Sequence, residues 1–284
     1  MTDTALEMIS LVPFVGAYAG VILDVFGVIH DGVSVFPEAR VSLCRLRNEG
    51  MRICLLSNSP RRSDEVAKRL VAMGIGRDLY HGLITSGELV YEALSESSKF
   101  PTGSTYFHLG PLELAELLSG LPMNASISIE AADFILATGW PEESAMTGKL
   151  LHAGLARKLP MICANPDFEV HIAEKKVICA GALARDYEML GGRVFFYGKP
   201  YQAAYSRALE VLRLSAGRVL AIGDSLATDI VGGKRAGLKT ALVLTGVHKN
   251  CLKRDGKIDR PMLQDLFLQH GVEPDFILSS IDWG

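Results

Sequence analysis

Four short stretches of this 284-residue chain join an apolar run to side chains able to do chemistry. In the first, residues 20–23 lead to Asp24, then to Gly27 and an Asp31-Gly32 turn. A charged carboxylate at the end of a buried strand is costly unless it is paired or coordinated. Asp24 is therefore a candidate nucleophile or metal ligand; the plainer alternative is a strand-end Asp that caps the next turn. In the second, residues 51–56 end in Ser57-Asn58-Ser59-Pro60, groups that either bind an anion beside a helix start or cap that helix. The third, residues 194–197 followed by Gly198-Lys199-Pro200, delivers a lysine to a loop, where it pairs with phosphate or carboxylate or stands as a solvated charge. The fourth, residues 219–222 followed by Gly223-Asp224, sets Asp229 five residues beyond Asp224. Hard oxygen donors of this kind suit Mg²⁺, although Asp229 also reads as an anion at a helix N-terminus.

The elements that must position these groups follow an α/β grammar. Strand-like runs cover 20–24, 51–56, 83–85, 105–109, 134–137, 161–164, 194–197, 219–222, 240–244 and 276–278, each short, apolar and bounded by glycine or polar residues. Helical spacing marks 38–48, 62–73, 113–118, 144–158, 182–190, 202–212 and 262–269, several of them ending at glycine. The pattern restarts from about Gly82 to Gly192 without a low-complexity linker, which reads as a second compact domain inserted into the first. The expected division is a discontinuous core, 1–82 and 197–284, with an inserted α/β domain at 83–196.

Composition narrows the classes. With 49% hydrophobic residues the chain can bury a sizeable core, and a net charge of −3 gives no attraction for a polyanion, which argues against nucleic-acid binding. The five cysteines are scattered and contain no Cys-x-x-Cys pair, so a reducing cytoplasm is expected. Residues 11–29 are apolar, but no Lys or Arg precedes them, and Pro13, the glycines and Asp24 interrupt them. A signal sequence or membrane span is not expected there.

In their order, Asp24 with Gly27, Ser57-Asn58, Gly198-Lys199-Pro200 and Gly223-Asp224…Asp229 resemble the haloacid dehalogenase-like hydrolase superfamily. About 140 residues between Asn58 and Lys199 resemble the class with a large cap inserted after the second motif. Asn165-Pro166-Asp167, Gly181-Ala182-Leu183-Ala184 and Gly191-Gly192 are similar to its NagD-like, class IIA subclass of sugar and nucleotide phosphatases. The resemblance implies a doubly wound parallel sheet with the site at its carboxyl edge. It implies Asp24 as nucleophile, forming an aspartyl-phosphate, with Ser57 and Lys199 on the phosphoryl oxygens and Gly27 and Asn58 at the substrate. Mg²⁺ would be held by Asp24, the backbone carbonyl of Phe26 and Asp224, with Asp229 supporting. Asn165 and Asp167 are expected on the rim of the insertion, facing a small phosphorylated metabolite, against the alternative of a turn with no ligand contact. Cap-mediated dimers of related proteins leave a homodimer open to this chain.

One departure from the pattern bears on activity. Phosphatases of the superfamily read Asp-x-Asp at the first motif, and here the second position is Phe26. That second Asp protonates the leaving group, work that phenylalanine cannot do. Three readings stand: a Mg²⁺-dependent phosphatase, a dehalogenase-like hydrolase, and a catalytically weak binding or regulatory protein. Asp31 as a substitute acid is weighed against Asp31-Gly32 as the turn of the flap, and the turn is expected.

Overall fold

The computed structural model describes residues 9–141, 146–172, 175–253 and 255–283. The chain runs through β1 (Gly20–Asp24), α1 (Ala39–Asn48), β2 (Arg52–Ser57), α2 (Ser63–Ala72), β3 (Gly82–Thr85) and α3 (Ser86–Ser95). Strands β4 (Thr105–Leu109), β5 (Asn124–Ser126) and β6 (Phe134–Ala137), helix α4 (Thr147–Ala156) and β7 (Met161–Cys163) follow. A hairpin of β8 (Glu169–Ile172) and β9 (Lys175–Ile178), then α5 (Ala180–Met189) and β10 (Val194–Phe196), leads to α6 (Gln202–Leu212). The chain closes with β11 (Val219–Gly223), α7 (Val231–Arg235), β12 (Lys239–Val243), α8 (Arg260–His270) and β13 (Phe276–Leu278).

These strands make two parallel sheets, one of six strands in the order β13-β12-β11-β1-β2-β3 and one of five in the order β10-β7-β6-β4-β5. In the larger sheet the chain steps from β1 out to β2 and β3, then returns to build β11, β12 and β13 on the other side. The order therefore reverses between β1 and β11, and ligands of doubly wound sheets bind in the crevice at that reversal. Both faces are covered, which is why the strands are apolar throughout rather than alternating. Along β1, Val21 and Leu23 pack into the cluster under α1 and α2, while Ile22 packs with α6 on the opposite face. Asp24, next in line, reaches the end of the buried central strand.

The expected α/β architecture is present, with local differences. Residues 83–85, placed in the insertion by the sequence division, pair with β2 and extend the six-stranded sheet. The run 113–118 is a 3₁₀ helix over Leu112–Leu118, confined between Pro111 and Gly120. Helix α4 begins at Thr147, and the expected helical residues 144 and 145 lie outside the described residues. Strands β5, β8 and β9 lack a continuous apolar run and gave no strand signal in the sequence. Among the described residues no helix is long and apolar enough to cross a membrane, and all five cysteines are free.

The edge strand β13 is tied on by charge. The Asp275 carboxylate accepts from Lys234 Nζ (2.6 Å), Lys239 Nζ (2.7 Å) and the Thr240 amide (2.9 Å). Burial works to raise its proton affinity, but these donors outweigh it and hold the carboxyl at about 2. A carboxyl depressed by folding stabilises the protein above its unfolded value and loses that contribution as pH falls through the folded one. Unfolding in urea should therefore show about 1–2 kcal/mol of stability lost from roughly pH 4 to pH 2, discounted for the exposed Lys239. Asp275→Asn should remove this increment at neutral pH and flatten the acid slope; an unchanged slope would contradict the assignment.

Candidate active site

The carboxyl ends of β1, β2 and β11 converge on a cleft of about 1530 Å³, and all ten sequence-predicted site residues line it. Lys199 is the hub. Its Nζ donates to Asp24 Oδ1 at 2.5 Å and to Asp229 Oδ1 at 2.7 Å, with only 3% of the lysine exposed. Asp24 is thus engaged in a buried ion pair at the tip of the strand, beyond any role as a turn cap.

Each partner is fixed from its own loop. Asp224 Oδ2 accepts the Val247 amide at 2.7 Å. Gly27, at φ +84°, and Gly246 pack so tightly on that carboxylate that a Cβ on either would overlap it. Asp229 lies in a π-helical turn, Leu226–Ile230, and its Oδ2 accepts the Ser225 amide at 3.2 Å. Such turns free backbone carbonyls from the regular ladder. The buried Tyr205 hydroxyl braces this turn, shared between Thr228 O and Asp229 O at 3.1 Å each, and Thr228 O also accepts the Val231 amide.

Asn58 ties the second and third motifs together. Its Oδ1 accepts the Lys199 amide (2.7 Å) and the Ser86 hydroxyl (3.2 Å), while its Nδ2 donates to Lys199 O (3.0 Å) and to Asp167 Oδ1 (2.8 Å). Gly198, at φ +121°, lies where a Cβ would overlap both Ser86 and Asn58, which explains the glycine before the lysine. The Ser57-Asn58-Ser59-Pro60 stretch does not cap α2. That helix takes its cap from Glu88, whose Oε2 accepts the Ser63 amide at 2.9 Å, and Ser57 Oγ accepts the Ser59 amide at 3.2 Å. Asn165 and Asp167 form a turn, with Asn165 Oδ1 accepting the Asp167 amide at 3.1 Å, and Asp167 also reaches across to Asn58. Phe26 packs edge-on against His30, ring centroids 5.5 Å apart, and Asp31 Oδ1 accepts the Val33 and Ser34 amides, so Asp31 serves as the turn.

The electrostatics follow from one cation among several buried acids. Burial raises the proton affinity of Asp24, with Lys199 opposing it. Burial and the neighbouring charges of Asp24 and Asp229 push Asp224 well above the usual carboxylate range. Asp229 is raised to about 6, by burial first, against the pull of Lys199. Burial also opposes the charge on Lys199, but Asp229 and Asp24 outweigh it and hold its proton firmly.

Oxygen atoms of Asp24, Asp224 and Asp229 all lie within 4.8 Å of one another. Three buried carboxylates share one ammonium, so full ionisation of the cluster calls for a further cation. An all-oxygen donor set of this charge fits a hard divalent cation.

A doubly wound sheet thus carries a lysine-paired carboxylate cluster at its reversal point. Comparison with known proteins gives the class. Two separate profiles of haloacid dehalogenase-like hydrolases match residues 21–122 and 131–237, and a HAD-hydrolase-like profile matches 196–281. A haloacid dehalogenase-like hydrolase from Brucella suis 1330 superposes with a TM-score of 0.81 at 30% identity, covering 97% of this chain and 100% of that one. The ribonucleotide monophosphatase NagD of Escherichia coli K12 is 29% identical over 240 residues, 80% of this chain and 88% of its own. The sugar-phosphatase AraL of Bacillus subtilis is 29% identical over 238 residues, 81% of this chain and 85% of its own. The chain belongs to the haloacid dehalogenase-like hydrolases, in the NagD-like subclass.

Sequence reasoning missed Tyr205, Ser86 and Gly246. Tyr205 follows helical spacing and reads as core; Ser86 repeats, after β3, the small polar strand end seen at Ser57 and was the one with a usable signal. Tyr205→Phe removes the hydrogen bond shared by the Thr228 and Asp229 carbonyls and should cost about 0.5–1.5 kcal/mol in urea unfolding. Wild-type stability in that variant would show that the π-helical turn does not need the hydroxyl.

Proposed function

We propose that this protein is a Mg²⁺-dependent phosphatase of small phosphorylated metabolites that works through an aspartyl-phosphate on Asp24. The observation that carries the reading is the buried Lys199 ammonium, held between Asp24 and Asp229 in the lining of a cleft that Ser57 also lines. A carboxylate cannot approach a dianionic phosphate unless positive charge is already in place, and phosphoryl transfer depends mainly on such positioning and neutralisation. Asp24 supplies the attacking oxygen, and Lys199 neutralises both that carboxylate and the incoming phosphoryl oxygens. Ser57 is the further donor for those oxygens, and Asn58 holds the Lys199 backbone in place. Asp24, Asp224 and the Phe26 carbonyl, supported by Asp229, would hold the Mg²⁺, which supplies further charge neutralisation on the phosphoryl group. Mg²⁺ suits the site because it retains waters and needs only one or two carboxylates.

The names borne by relatives, a ribonucleotide monophosphatase and a sugar phosphatase, support a small phosphomonoester as the substrate class. The inserted unit around the five-stranded sheet would then act as the cap that meets the substrate through Asn165 and Asp167. Phe26 favours one competing reading, a protein that binds phosphorylated metabolites with little turnover, since losing a general acid/base costs about 10²–10⁴ in rate.

Phosphate release from a panel of phosphomonoesters and acyl phosphates, with and without Mg²⁺, separates the two. The proposal expects Mg²⁺-dependent release that disappears in Asp24→Asn. Release no greater than the Asp24→Asn background, with metabolite binding retained, would establish the binding protein instead.

A further inference from the structure

Building on the phosphatase reading, we propose that Asp167, from the inserted unit, is the general acid and base that Phe26 cannot be. The search for a substitute is narrow, because Asp24, Asp224 and Asp229 are committed to the lysine and the cation cluster. Four further carboxylates line the cleft, those of Asp31, Asp167, Glu169 and Glu188. Asp31 is spent on two turn amides, which hold its proton affinity below the usual range. Glu169 pairs with Lys176, and both Glu169 and Glu188 are exposed. Asp167 alone combines partial burial with a fixed position beside the reacting groups.

That position is set by Asn58. Because Asn58 Oδ1 accepts the Lys199 amide and the Ser86 hydroxyl, its Nδ2 must turn toward Asp167 Oδ1, 2.8 Å away. The same amide group grips the carbonyl of Lys199, whose ammonium touches Asp24. One residue thus clamps the acid on one side and the nucleophile's partner on the other. Oδ2 of Asp167 takes no hydrogen bond from a described residue, and Asp167 lines the cleft. Burial raises the proton affinity of this carboxyl, as does the charge of Asp229; Lys199 and the bond from Asn58 oppose them without reversing the direction. A carboxyl whose proton affinity is raised by burial is better suited to giving and taking a proton during turnover.

The proton balance closes over two steps. As an Asp24 oxygen bonds to phosphorus, the bond from phosphorus to the ester oxygen breaks. That oxygen takes the Asp167 proton and leaves as the alcohol. Ionised Asp167 then removes a proton from water as the water oxygen attacks phosphorus. The bond from phosphorus to Asp24 breaks, phosphate departs, and both carboxyl groups return to their starting states.

The test is Asp167→Asn, which keeps the acceptor for Asn58 and loses only the exchangeable proton; Asp167→Ser repeats the test should the first variant fold poorly. Mg²⁺-loaded protein is assayed on glycerol phosphate, a poor leaving group, and on p-nitrophenyl phosphate, whose leaving group needs no proton. For the alkyl ester, kcat/KM should fall about 10²–10⁴-fold, and for the aryl ester less than about tenfold. The aryl ester should also show a burst of nitrophenolate, because the intermediate on Asp24 now waits for an unassisted water. Equal losses on both esters without a burst, no loss at all, or the same selective loss in His30→Gln instead would each overturn the proposal. Wild-type protein that releases phosphate from neither ester would overturn the phosphatase reading on which the proposal rests.

Discussion

A single buried ammonium group governs this molecule. Lys199 is held by two carboxylates from opposite sides of the sheet's reversal point, Asp24 at the end of β1 and Asp229 in the turn after β11. Removing the lysine would leave the buried carboxylates without their cation, a penalty of about 3–5 kcal/mol in comparable sites. The surrounding architecture limits that risk. Asn58 fixes the lysine backbone, Tyr205 and Ser225 fix Asp229, and Val247 fixes Asp224. The cost of gathering these charges is borne by a sheet whose two faces are both buried.

The same arrangement makes sense of Phe26. The first motif ordinarily carries two acids, and here one side chain is replaced by an aromatic ring resting on His30. The replacement removes negative charge from a site that already holds three buried carboxylates within 4.8 Å of one another. Proton transfer is then left to a group outside that cluster. Asp167 meets the description because the inserted unit carries it to the cleft and Asn58 anchors it at one oxygen only.

Much of the fold was legible because parallel strands buried on both faces read as short apolar runs, and most have glycine or small polar residues at their ends. The strands of the larger sheet came through in this way, as did α6 and α8. Strands β5, β8 and β9 did not, since Asn124–Ser126 and the short charged hairpin carry no continuous apolar run. At the site, residue types and order were enough to bring the ten predicted positions into one cleft. Their division of labour was not readable. That Asn58 spends its whole amide on protein atoms depends on contacts 141 residues apart in sequence, and only the folded chain brings them together. Tyr205 was hidden for a similar reason, because a buried tyrosine on a helix looks like core until its hydroxyl partners are seen.

The excess negative charge around Lys199 should make the cluster a divalent-cation site whatever the substrate. Calorimetric titration of Mg²⁺ into the wild-type protein and into Asp224→Ala, at neutral pH and without substrate, tests this most directly. Saturable binding to the wild type, weakened more than about tenfold in the variant, is the expected result. Absence of Mg²⁺ binding, or equal binding by the two proteins, would contradict it.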